Sequence, residues 1–76
     1  MRLVIRYSLD NDTGSRLRNA VNARMKTHGL RYYRATGTTE ATGLTEAQVS
    51  AALIDFWTLI AAPSAVAGVS ATVRID

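Results

Sequence analysis

Over residues 2–9, Leu3, Ile5 and Tyr7 alternate with Arg2, Val4, Arg6 and Ser8, the period-two signature of a strand with one buried face. The polar cluster Asp10-Asn11-Asp12-Thr13-Gly14-Ser15 ends that strand and supplies side-chain oxygens able to cap a helix. Across residues 15–28 the spacing changes. Leu17, Ala20, Val21 and Met25 recur at helical intervals, with Arg16, Arg18, Asn19, Asn22 and Lys26 on the other side. Gly29 is the expected residue just past that helix's end, where Lys26 and His28 suit the negative pole of its dipole. Residues 30–35 read as a second strand, Thr36-Gly37 as a turn, and residues 38–43 as a third strand with few apolar side chains. Thr45-Glu46-Ala47-Gln48 is a capping box. After it, Val49, Ala52, Leu53, Phe56, Trp57 and Ile60 form an unbroken helical stripe up to Pro63, which stops the helix. Beyond a loop of small residues, Val69, Ala71, Val73 and Ile75 alternate with Ser70, Thr72, Arg74 and Asp76, the clearest strand pattern in the chain.

The order β-α-β-β-α-β predicts an α+β fold of the ferredoxin-like type. Right-handed crossovers place both helices on one face of a four-stranded antiparallel sheet with strand order 4-1-3-2, in a single domain over residues 1–76. At 76 residues folding buries roughly 60–65% of the surface the unfolded chain exposes. The core is therefore small. Without cysteine it holds by packing alone, which fits a reducing cytoplasm. A charged residue inside the apolar N-terminal run speaks against a secretory signal. Residues 56–73 lack a charge, yet Pro63, Ser64, Gly68, Ser70 and Thr72 interrupt them, so no membrane span is expected.

Charge changes the picture. Net charge is +3, but residues 1–34 hold eight of the nine basic residues against Asp10 and Asp12, while residues 35–76 are net acidic. Such asymmetry points either to an anionic partner or to two poles that attract within the fold or across a dimer. The alternation places Arg2, Arg6 and Arg74 on the sheet face without helices. The second strand adds Arg31 and Tyr33 if Leu30 and Tyr32 face the core, or Tyr32 and Arg34 in the other register. Arginine pairs phosphates and tyrosine stacks unpaired bases, so this face is a candidate for single-stranded RNA or DNA. Within the sheet, Asp76 and Glu40 are the carboxylates placed to answer those arginines.

Catalytic signals are sparse. His28 is the only histidine and reads as a helix cap; there is no Cys, no G-x-S-x-G and no phosphate-cradling glycine loop. No cofactor is expected. Asp10 and Asp12 are candidates for helix capping, the commoner use of such residues, and for holding a divalent cation. The second helix has apolar residues beyond one face; Ile54, Trp57 and Leu59 mark a candidate protein contact, with a homodimer as the commonest kind.

The run Leu3-Val4-Ile5-Arg6-Tyr7-Ser8-Leu9-Asp10-Asn11-Asp12, then a basic amphipathic helix, Thr27-His28-Gly29-Leu30 and a tyrosine-bearing strand, resembles the opening half of the small CRISPR-associated adaptation nucleases. It is similar in the same way to the related type V antitoxin endoribonucleases and the virulence-associated ribonucleases. The resemblance covers residues 2–36 and implies the ferredoxin-like fold and a symmetric dimer. In those nucleases an aspartate directly follows the first-strand tyrosine and holds metal; here Ser8 follows Tyr7. Serine cannot stand in for that carboxylate. The residues thus favour a non-enzymatic module that binds nucleic acid, with a protein-binding regulatory or inhibitor module, antitoxin-like or phage-encoded and acting through the apolar second helix or an edge strand, as the alternative and a divalent-metal nuclease third.

Overall fold

The structure, a computed structural model, describes residues 1–10, 16–61 and 68–76. Strand β1 (Leu3–Asp10), helix α1 (Arg16–Thr27), strands β2 (Arg31–Tyr33) and β3 (Thr38–Ala41), helix α2 (Glu46–Ala61) and strand β4 (Gly68–Ile75) follow one another. The strands form one antiparallel sheet in the order β2-β3-β1-β4, the expected order seen from the other edge, and the arrangement is ferredoxin-like. Asp12, the rest of the 11–15 turn, Pro63 and most of the small-residue loop lie outside the described residues.

Local chemistry sets the element ends. The last turn of α1 closes with Leu30 N–H on the Met25 carbonyl (3.1 Å) and Gly29 N–H on the Lys26 carbonyl (3.0 Å). That pair of bonds is a Schellman motif, and it requires the left-handed conformation Gly29 adopts at φ 87°. Met25 and Leu30, both buried, supply its usual apolar contact. At the start of α2 the capping box is reciprocal: Gln48 N–H donates to Thr45 Oγ1 (3.2 Å) and Thr45 N–H to Gln48 Oε1 (2.8 Å).

The second strand is shorter than its sequence suggests. Gly37, at φ 66°, donates its N–H to the Tyr33 carbonyl (2.8 Å), so Arg34 and Ala35 belong to the turn and β2 ends at Tyr33. That turn settles the open question of register. Arg31 pairs with Glu40, Tyr32 with Thr39 and Tyr33 with Thr38, placing Arg31 and Tyr33 on the helix-free face.

Between sheet and helices the core comprises Leu3, Ile5 and Tyr7 from β1, Val21 and Met25 from α1, Leu30, and Val49, Ala52 and Phe56 from α2. Leu53 and Ile60 pack against it half-buried, whereas Trp57, which shares their stripe, stands 48% exposed. β4 contributes only the partly buried Ala71 and Val73. Central strand β3 turns Thr39 inward, where its Oγ1 is buried with no hydrogen-bond partner among the described residues. A buried hydroxyl left unpaired costs free energy that an isosteric methyl does not. Thr39→Val is therefore expected to raise the unfolding free energy by about 1 kcal/mol, measurable as a higher urea midpoint at unchanged m-value. No helix among the described residues is long and apolar enough to cross a membrane.

Candidate nucleic-acid interface

The register assembles the open face row by row. One row crosses all four strands as Arg31, Glu40, Val4 and Arg74. The next holds Tyr33 opposite Thr38 and Arg6 opposite Thr72. Arg2 and Asp76 exchange both backbone hydrogen bonds at 2.9 Å, beyond Val4 and Arg74. At one strand spacing per step, Arg31 and Arg74 stand about 14 Å apart at their Cα atoms. All five basic and aromatic residues read from the sequence thus share the helix-free side, and all are exposed.

Their electrostatic situations differ. Arg2 donates to Glu40 Oε1 (3.0 Å) and lies 3.7 Å from Asp76 Oδ2, while Arg74 Nε donates to Asp76 Oδ1 (3.1 Å). The Thr38 hydroxyl donates to Glu40 Oε2 (2.7 Å) and shares a 2.6 Å contact with the Thr36 hydroxyl. A polar chain therefore runs across the sheet from Thr36 through Thr38, Glu40, Arg2 and Asp76 to Arg74. The Thr38 hydrogen bond, and then the bond from Arg2, hold the Glu40 carboxyl below the usual glutamate range. Arg6 and Arg31 have no carboxylate partner within ion-pair distance among the described residues.

The face is thus not uniformly basic. Glu40, Asp76 and, at the far end of β1, Asp10 offset much of its arginine charge, and what remains unanswered is centred on Arg6 and Arg31. Beside Arg6 a shallow recess is lined by Ser8, Ser70 and Thr72. A guanidinium flanked by three hydroxyls is a donor set suited to phosphate oxygens. Ser8, at the position following the tyrosine, pairs with Ser70.

The other candidate residues separate. Asp10 sits opposite Gly68 at the end of β1 and is exposed. His28 Nε2 and Asp55 Oδ2 are 2.6 Å apart, tying the end of α1 to the middle of α2, with Arg24 4.0 Å from the same oxygen. The sequence reading missed that tie because His28 and Asp55 are 27 positions apart and no local spacing links them. On α2, Ile54 (66% exposed) and Trp57 face outward, but Leu59 packs against the core and does not share their surface. A second basic surface lies on α1, where Arg16, Arg24 and Lys26 are exposed. Compared with known protein families, curated proteins and solved structures, the chain matches none.

Proposed function

We propose that the protein is a non-catalytic module that binds single-stranded nucleic acid across the open sheet face. Arg6 and Arg31 take phosphates, Tyr33 stacks a base, and Arg74 sits at the margin. Arg2 is the hub of the polar chain and contributes chiefly by ordering the face. The observation that carries this reading is the pairing register: it sets Arg6, Arg31 and Tyr33 on one helix-free surface, two of them arginines without a carboxylate partner among the described residues. Exposed cations in that state gain from a polyanion by releasing its counterions, and a planar side chain beside them accepts any base.

Anisotropy of a labelled single-stranded oligonucleotide, titrated across a salt series, tests the reading. Binding is expected at low salt, with a log–log salt slope that Arg6→Ala reduces by about 0.7, the contribution of one phosphate on a single strand. Absence of binding at low salt, or an Arg6→Ala slope equal to the wild type's, overturns it. A second reading, a protein contact on α2, is favoured by the exposure of Ile54 and Trp57; such a contact survives high salt and is lost in Ile54→Glu.

A further inference from the structure

The two edges of the sheet are built differently. β2 spans three residues, and its side chains include an arginine and two tyrosines. β4 spans eight, pairs with β1 over its whole length without a bulge, and contains no proline, lysine or inward-facing charge. Proteins that keep edge strands unpaired shorten, bend or charge them. β2 is guarded by its shortness; β4 is neither short nor bent, its one charge, Arg74, lies on the open face and is paired with Asp76, and among the described residues no strand pairs with its outer edge.

The hydrogen-bond phase of β4 says what that edge offers. Arg2 and Asp76 exchange both backbone bonds, so Arg74, Thr72 and Ser70 follow in phase and direct their N–H and C=O groups at β1. Val69, Ala71, Val73 and Ile75 therefore direct theirs outward. The side chains of these same four residues lie on the helix side of the sheet, and the outer two are poorly covered there: Val69 is 40% and Ile75 49% exposed.

The geometry points to a second copy of this chain as the partner, joined edge to edge through β4 about a two-fold axis at Thr72. An antiparallel pairing centred there sets Val69 against Ile75 of the second copy and Ala71 against Val73, then the same two pairs in reverse. All four outward-directed residues are satisfied, with both β-branched side chains left exposed in the single chain covering each other. On the open face Thr72 meets Thr72 of the second copy and Ser70 meets Arg74, so no like charges stand directly opposite. The contact is isologous, closes at two copies and uses up both β4 edges. It converts two four-stranded sheets into one of eight strands whose open face presents both Arg6 recesses. Register and exposure set this pairing whatever the open face binds.

Position 72 is the only one in β4 that such an axis places opposite itself, in a non-hydrogen-bonded pair whose Cα atoms lie about 4.5 Å apart, within disulfide reach. The chain has no cysteine of its own. Thr72→Cys treated with oxidised glutathione, which accepts the two electrons as the two thiols lose their protons, is expected to give a covalent dimer in high yield. Ser70→Cys under the same treatment is expected to stay largely uncross-linked. Light scattering of the unmodified chain gives a dimer mass. Val69→Lys shifts it toward monomer, and adding Ile75→Glu restores the dimer, because the axis opposes positions 69 and 75 across the interface while five residues separate them within one chain. A monomer mass for the unmodified chain up to millimolar concentration, or equal cross-linking of Thr72→Cys and Ser70→Cys, overturns the proposal, whatever the outcome of any nucleic-acid titration.

Discussion

Phe56→Ala is expected to cost about 3–5 kcal/mol and to leave much of the chain unfolded at physiological temperature. Phe56 is fully buried in the middle of α2, with its ring edge-on to Tyr7 of β1 at 5.5 Å and to Trp57 at 5.1 Å. Tyr7 in turn donates its hydroxyl to Asn22 Oδ1 (2.7 Å) on α1 and has the Arg18 guanidinium 5.2 Å from its ring centre. One side chain therefore couples sheet, first helix and second helix. Truncating it removes the largest fully buried group in the core and opens a void that three rigid elements cannot close. A chain of this length has a total stability of roughly 4–11 kcal/mol, so the loss is a large share of the whole, seen as a fall in Tm of roughly 12–40 °C. Trp57→Ala, one residue on but half exposed, is expected to cost far less. Circular dichroism melts of the two variants check the order. A larger loss for Trp57→Ala would mean that α2 presents a different face to the sheet.

The second large effect concerns binding. Arg6→Glu combined with Arg31→Glu is expected to weaken affinity for single-stranded RNA about a hundredfold at low salt, on the order of 1.4 kcal/mol for each position, and to lower Tm by only a few degrees. Both side chains are exposed and neither takes part in an ion pair among the described residues; the one internal cost is that Arg31→Glu sets a like charge opposite Glu40. The matching reversal on the helix surface, Arg16→Glu with Arg24→Glu, is expected to change affinity much less. Equal losses from the two double variants would assign the binding to overall charge rather than to the sheet face.

Period-two alternation in β1 and β4 made their two faces legible from sequence, because a strand with one buried side must alternate and neither strand slips or bulges. The capping box and Gly29 marked helix ends for equally local reasons. β2 was harder. Its length and register depend on the left-handed Gly37 and the hydrogen bond it makes back to Tyr33, a turn geometry that Thr36-Gly37 hints at without fixing. The charge balance of the open face was less legible still. Glu40 and Asp76 could be named as possible counterions, but that they converge on Arg2 and Arg74, leaving Arg6 and Arg31 unanswered among the described residues, follows only from cross-strand register. On α2, helical periodicity alone counted Trp57 in the core stripe and grouped Leu59 with the outward residues; the angle at which the helix sits on the sheet decides both. Thr39 gave no warning, since inward placement of a polar residue on a central strand is a consequence of pairing rather than of composition.

The most direct measurement is of the arginine side chains themselves, through their Nε–Hε resonances, as a single-stranded RNA oligonucleotide is added at low salt. The signals of Arg6 and Arg31 are expected to move first and furthest, while those of Arg16 and Arg24 on α1 stay nearly still. Shifts confined to the α1 guanidiniums, or none at all, would contradict binding on the open sheet face.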